Sequence, residues 1–534
     1  MKRQSLTKGF AVLSAAGIIT KILSVLYIPF LLAIIGEEGN GIYAAAYQVY
    51  VFIYVIANSG IPVAISKSVS ELAAVGNYKD AVRTFRIARF FLIIIGLGLS
   101  IIMFVLAKPL AHMINADKSA LAIAALSPTL LFTALASAYK GYFQGMSNMT
   151  PTAISQVVEQ IFHVIFSITF SALLIKVSLE ASCAGATVGT SLGALFSAIV
   201  LIIMYNRKEK ANELIWYKST ARRYSYKQLA QKVIYYSIPI TICVGAQYAG
   251  NLIDVANIRG RLLTAGYTIE MVSVMHSYLS KYQQIMNAPI SIVSALAAAV
   301  LPSISTAVAE GNLKLMEDRT RQAFRLCLII VIPSAAGLSV LSQPVYSMLK
   351  YGEGAYLMSY GSVVLILMSI VQIQSSILQG AGKMYMATIN VIAGIIVKII
   401  LNYLLISNPQ INIMGAVISS IAGFGLSAVL NTITIKRQAG IKTALISQSL
   451  KPAVSSAVMG IAVGLLYKGV YWIFGFIGSS YVVNAIAVII SVFAGMIIYF
   501  FMMIWAHGIT KNDLDTLPSC IKKVIPRQVL SQVR

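Results

Sequence analysis

An all-α integral membrane protein of about fourteen transmembrane helices is predicted by three features of the chain: its composition, its recurrent apolar runs and the placement of its charge. Of 534 residues, 58% are hydrophobic and only 11% charged, and the mean hydropathy is +0.81. A soluble core cannot hide that much apolar surface, so a bilayer must act as the solvent.

Runs of roughly 20 or more apolar residues, enough to cross about 30 Å of hydrocarbon, recur at 10–35, 42–66, 88–107, 119–139, 152–177, 183–205, 233–257, 282–303, 324–349, 356–380, 385–407, 411–435, 449–474 and 481–506. They are uniformly apolar rather than alternating, which selects helices over barrel strands. The first run follows Met1-Lys2-Arg3 but is too long for a secretory signal, and GEEGNG (36–41) follows it, so it is expected to be retained.

A net charge of +24 would suggest nucleic acid in a soluble protein, but its distribution argues against that partner. With the N-terminus inside, roughly 31 of the 41 Lys and Arg fall in cytoplasmic segments, about 8 outside and 2 within the spans. A multi-pass cell-membrane protein with both termini in the cytoplasm is therefore expected. The basic stretch at 206–227 reads as an orientation signal beside anionic headgroups.

Cys183, Cys243, Cys327 and Cys520 lack CxxC spacing, and His112, His163, His276 and His507 form no HExxH-like cluster. Neither a disulfide, a metal nor a cofactor is expected. There is no Walker loop, nucleophile elbow or dinucleotide fingerprint, and no loop long enough for a catalytic domain, so the chain is not expected to be an enzyme.

The spans divide into six, six and two: an N-terminal six-helix bundle (1–205), a basic linker (206–232), a C-terminal six-helix bundle (233–436), helices 13 and 14 (449–506) and a basic tail (507–534) that reads as an amphipathic piece or a disordered one. IPVAIS (61–66) resembles LPSIS (301–305), FQGMSNM (143–149) resembles LQGAGKM (378–384), and AGATVGTS (184–191) resembles MGAVISSI (414–421), at offsets of about 240, 235 and 230. Two bundles of even span number have the same orientation, as parallel repeats do, and alternating access follows from such an architecture. Pro29, Pro62, Pro239, Pro289 and Pro302 are placed to bend helices around a cleft.

A charge within hydrocarbon costs at least about 2.5 to 3.5 kcal/mol, so each one is a functional candidate. Lys21 lies mid-span, and Asp254 shares a face with Asn251 and Gln247, with Arg259 and Arg261 beyond. Lys281, Gln284 and Asn287 open span eight. Lys21, Asn251, Asp254, Arg259, Arg261, Lys281 and Gln284 are the candidate substrate-binding set. Glu159, His163 and Lys398 are candidates for ion coupling or a polar network, and His163 and Lys398 match at the repeat offset. The structural alternative for each is an ion pair or polar glue between helices. Cations in a low-dielectric cleft suit a phosphate-bearing substrate, and an acidic group suits Na⁺ or H⁺.

GFAVLSAAGIITKIL (9–23), GNGIYAAAYQVY (39–50), SGIPVAISKSVSE (59–71), YKGYFQGMSNMTPTAISQVVEQI (139–161) and SSILQGAGK (375–383) resemble the SpoVB-like branch of polysaccharide transporters. This branch belongs to the multidrug/oligosaccharidyl-lipid/polysaccharide (MOP) exporter superfamily, close to the MurJ-type lipid II flippases. The resemblance implies a flippase that turns an undecaprenyl-pyrophosphate-linked sugar, a lipid II-like peptidoglycan precursor or related polysaccharide unit, from inner to outer leaflet. It matches the family's first cation to Lys21, whereas arginines expected further along fall near Tyr27, Tyr54 and Gln283 or Gln284, with Lys281 the nearest cation. Expected partners are the lipid-linked oligosaccharide, membrane lipids and cell-wall synthesis enzymes; the expected drive is H⁺, Na⁺ or the membrane potential. The competing readings are a cation-coupled multidrug or metabolite antiporter of the same superfamily and a membrane scaffold that moves nothing.

Overall fold

The computed structural model describes residues 6–216, 224–438, 440, 445–474, 480–506 and 508. The tail from 509, with Cys520, and also Met1-Lys2-Arg3 and His507, lie outside the described residues, as do the side chains of Gln247 and Cys243. All regular structure among the described residues is helical, as chains in hydrocarbon require, because a helix satisfies its own backbone hydrogen bonds.

The chain divides into two compact units, Met1–Ser280 with Ile399–Ile413, and Lys281–Lys398 with Met414–Arg534. The first holds α1 (Leu6–Asn58), α2 (Ile61–Ala74), α3 (Tyr78–Val105), the short α4 (Ala107–Met113), α5 (Ala120–Gly145), α6 (Thr150–Leu174), α7 (Leu179–Trp216) and α8 (Tyr226–Thr264). A boundary falls within α9 (Ile269–Ala309). The second unit holds α10 (Leu313–Val340), the short α11 (Ser342–Met348), α12 (Ala355–Gly380), most of α13 (Met384–Leu405), then α14 (Met414–Gln438), α15 (Leu445–Phe474) and α16 (Ser480–Trp505).

Twelve stretches among the described residues are long and apolar enough to cross a membrane. The first, Ala15–Ala73, is 59 residues long; at about 1.5 Å per residue it is roughly three times the hydrocarbon thickness. It contains the first two predicted spans, on either side of Gly36, whose φ of 65° and ψ of −173° interrupt α1. Pro29, a predicted bend, stays inside the helix. The seventh predicted span, 233–257, lies on α8.

The duplication is written in the helix boundaries. α3 and α10 start at 78 and 313, α4 and α11 at 107 and 342, α5 and α12 at 120 and 355, and α7 and α14 at 179 and 414: each difference is 235. Left-handed residues obey the same shift, Gly76 with Gly311, Asn115 with Lys350, and Ser147 with Gly382. After each left-handed glycine comes an asparagine cap: Asn77 accepts from the Asp80 amide at 3.2 Å and Asn312 from the Leu315 amide at 3.0 Å. Packing follows suit. A Cβ on Gly145 would lie 2.7 Å from the Ser66 carbonyl, and one on Gly380 2.7 Å from the Leu301 carbonyl. The register is therefore 235 over most of the fold, and the sequence match at 240 is five residues out; the match at 230 holds where α7 and α14 pack, since a Cβ on Gly193 would lie 2.6 Å from the Glu159 carbonyl and one on Gly423 2.7 Å from the Gly394 carbonyl.

Helix contacts depend on small residues, because lipid tails are as apolar as leucine and supply no hydrophobic drive between helices. Gly185, Gly189 and Gly193 line one edge of α7, and a Cβ on Gly189 would sit 2.2 Å from the Ser167 hydroxyl of α6. Ser171 and Ser182 meet at 2.8 Å and Thr129 and Ser191 at 2.5 Å across neighbouring helices. In the second unit α15 lies against α10 and α16, where Tyr467 donates to Asn484 at 2.7 Å and Asn484 to the Pro344 carbonyl at 3.0 Å.

Gly189→Val is expected to wedge α6 from α7 and destabilise the fold by about 1–3 kcal/mol, whereas Gly98→Ala, whose Cβ would meet nothing within 4 Å, is expected to change stability by no more than about 1 kcal/mol. Melting of the detergent-solubilised chain measures both.

Candidate functional site

Two of the ionisable residues picked out by sequence, Arg259 and Lys281, are held by backbone carbonyls. Arg259, 1% exposed near the end of α8, donates to the Asn115 carbonyl at 3.0 Å and to the Ser273 hydroxyl at 3.2 Å. Lys281, fully buried on α9, donates to the carbonyl of Tyr351 and, at 2.9 Å, to that of Glu353. These two cations do the same work in the two repeats. Each sits at the turn after a short helix, α4 or α11, where Asn115 or Lys350 is left-handed and the terminal carbonyls lack helical partners. A cation there satisfies the carbonyls and meets the negative end of the helix.

Asp254 is buried and accepts from the amide of Asn402. Asn257, one turn on, donates to the Ile399 carbonyl at 2.8 Å, and the Arg261 guanidinium lies 3.7 Å above the Tyr403 ring. All three fasten α8 to the end of α13, within the first unit. Asn251, on the same helix, is exposed, and Gln284 is half-buried. At the Gly36 end of this unit, Lys118 bridges Glu38 at 2.8 Å and Glu270 at 3.0 Å, and Ser277 donates to Glu37 at 2.6 Å.

Lys21 is exposed. The exposed apolar stripe of its helix runs through Ile19, Ile22, Leu26 and Phe30, and at about 100° per residue Lys21 projects from nearly the opposite side. It shares that side with Ile28 and Leu32, which are buried further along. The lysine thus stands on the protein-facing side of α1 without being covered.

The first unit also contains a polar column. Tyr43, Tyr47, Tyr50 and Tyr54 follow one another along α1 with ring centroids 5.5 to 5.8 Å apart. Glu159 on α6 pairs with Lys140 on α5 at 3.1 Å. One turn beyond, the His163 ring lies 5.1 Å from Tyr27, and its Nδ1 is 3.4 Å from the Gln160 amide. Glu159 and His163 are thus brought together, as their spacing implies. Lys398 is half-buried on α13, its Cβ 3.0 Å from where a Cβ on Gly423 would lie. Lys140 is missing from the sequence-derived set because it falls just past the apolar run 119–139 and reads as a loop cation; its position nineteen residues before Glu159 carries no periodic signal.

A helical body with duplicated halves is a fold that this chain shares with solved membrane transporters. The chain is similar to the lipid II flippase MurJ in its inward closed conformation (TM-score 0.67, 15% identity, 92% of this chain and 98% of that one). It is also similar to an inward-facing multidrug resistance transporter of the MATE family (TM-score 0.65, 15% identity, 80% and 96%). Residues 6–308 match the family model "Polysaccharide biosynthesis protein", and the chain belongs to that family. Curated relatives include the lipid II flippase MurJ of Bacillus subtilis (strain 168), 29% identical over 93% of this chain and 94% of its own. Stage V sporulation protein B of the same organism is 26% identical over 97% and 98%.

Arg259→Met and Lys281→Met are each expected to strip turn carbonyls of their partner and lower the melting temperature sharply, a loss on the order of 3–5 kcal/mol, whereas Lys21→Met, exposed, is expected to leave it within about 0.5 kcal/mol.

Proposed function

We propose that the chain is a flippase that carries an undecaprenyl-pyrophosphate-linked sugar, a lipid II-like peptidoglycan precursor or related polysaccharide unit, from the inner to the outer leaflet by alternating access, with both termini in the cytoplasm. The observation that carries this reading is the extent of the match. MurJ, itself named a lipid II flippase, corresponds to 92% of this chain, whereas the MATE transporters are matched along 96–98% of their own length yet leave a sixth to a fifth of this chain without a counterpart. α15, α16 and their flanking segments make up a share of that size.

The chemistry is compatible. Lys21 is an uncovered cation on the protein side of its helix, and a pyrophosphate gains more from a cation in a low-dielectric surround than in water. The same membrane places a price on leaving that charge empty, which favours anionic cargo. Under this reading the partners are the lipid-linked sugar, membrane lipids and the wall-synthesis enzymes, and the membrane potential, H⁺ or Na⁺ supplies the drive.

Fluorescently labelled lipid II in proteoliposomes containing only this chain is expected to become accessible to an external quencher, and Lys21→Ala to slow that at least several-fold. If no undecaprenyl-linked sugar crosses while a small cationic dye is exported against an ion gradient, the antiporter reading replaces this one.

A further inference from the structure

We propose that Lys140 is an anion-capture residue of the first unit, with Glu159 its resident counter-ion, displaced when a pyrophosphate oxygen of the cargo arrives, and with Tyr47 and Tyr54 as the rings against which the attached sugar rests; this rests on the flippase reading above.

The argument begins with exposure. Two charged groups that fix turns in this unit are closed off, whereas the ion pairs Lys118–Glu38 and Lys232–Glu71 are partly exposed. Asp80 is 0% exposed and accepts from Arg83, Asn77 and the Tyr224 amide, and Arg259 is sealed on its turn. The Lys140–Glu159 pair differs from those two groups: its side chains are 21% and 34% exposed. Among the described residues each makes only the 3.1 Å bond to the other, although an ammonium has three donors and a carboxylate about four acceptor sites. The spare ammonium donors are what an incoming anion would use.

The opening does not face lipid. Over the part of α6 that holds Glu159, the exposed large apolar residues are Ile154, Ile161 and Ile165, with Leu173 further on, and at about 100° per residue Glu159 lies some 140° away from those three. The pair lies inside the helices rather than at the α5–α6 turn: Lys140 is five residues before Gly145, and Glu159 nine residues after Thr150. Behind it α7 comes so close that a Cβ on Gly193 would lie 2.6 Å from the Glu159 carbonyl. The free side is therefore the interior of the unit, where the tyrosine column runs.

That interior has further unspent polarity. The His163 Nε2, buried one turn from Glu159, has no hydrogen-bond partner among the described residues. Tyr47 and Tyr54 are half-buried, whereas Tyr43 and Tyr50 between and beside them are covered, so two rings of the stack present surface. A sugar pyrophosphate meets this set in kind. Its oxygens take charge-assisted bonds from an ammonium, and the apolar faces of its sugar ring cover aromatic surface. Until then Glu159 compensates the lysine, whose burial alone would be costly.

The two roles for the pair predict opposite patterns of mutation. If it is only structural, losing either member leaves a lone charge and both single variants suffer, while the double neutral variant recovers. If Lys140 captures the anion, the lysine matters and the glutamate competes with the ligand. The experiment measures binding of undecaprenyl pyrophosphate to the detergent-purified full chain, alongside flipping of labelled lipid II in proteoliposomes, for Lys140→Gln, Lys140→Arg, Glu159→Gln and the double variant, with melting recorded for each. Expected are a loss of affinity of ten-fold or more for Lys140→Gln, rescue by Lys140→Arg, and several-fold tighter binding by Glu159→Gln. Equal loss from both single variants with recovery in the double variant overturns the proposal, as does the absence of pyrophosphate-lipid binding by the unaltered chain. Lysine-dependent binding without any flipping leaves the capture site standing and sinks the flippase reading; flipping indifferent to Lys140 does the reverse.

Discussion

Any charge this chain draws out of water must be answered by the chain itself, and in both repeats the answer is a cation docked on the carbonyls of a left-handed turn. Arg259 reaches the Asn115 carbonyl from α8, and Lys281 reaches those of Tyr351 and Glu353 from α9. The turns are equivalent by the 235-residue shift, but the cations come from different helices and are different residues. What persisted through duplication is the demand made by helix-terminal carbonyls in an apolar surround, and two solutions to it were found.

The fold was largely legible in sequence, because crossing a bilayer needs about twenty apolar residues and that signal is local. The span lengths and the existence of a repeat follow from it. The exact register did not. A short match at 240 looks as good as the true 235, and what separates them is a caps-and-turns pattern, Gly-Asn at 76–77 and 311–312, that a hydropathy reading passes over.

The site was legible only in part, for a physical reason. Sequence shows that Arg259, Lys281 and Asp254 are ionisable groups in apolar surroundings, but not which backbone carbonyl or amide, from 70 to 148 positions away, receives them. Lys21 shows the opposite outcome: the same signal, and no cover. Lys140 inverts the problem. It sits beyond the end of an apolar run and looks like an ordinary interfacial cation until α6 brings Glu159 to it.

The two halves have diverged most at that point. Under the 235-residue shift Glu159 becomes Gly394 and Lys140 becomes Ser375, so the second half has no such pair. The helices pack closely in both halves, but a Cβ on Gly394 would lie 2.4 Å from the Gly423 carbonyl, so the second half has no room for a side chain at that position. Tyr47 likewise corresponds to Tyr282, but the second tyrosine is buried and donates to the Gly361 carbonyl at 2.8 Å, whereas the first stacks half-open in its column. The same scaffold has thus been closed with glycine and a committed hydroxyl in one half and left with an open ion pair and free rings in the other. An open charged recess is expensive to keep in a membrane unless something comes to occupy it, and that cost is why the proposed anion capture is assigned to the first half rather than the second.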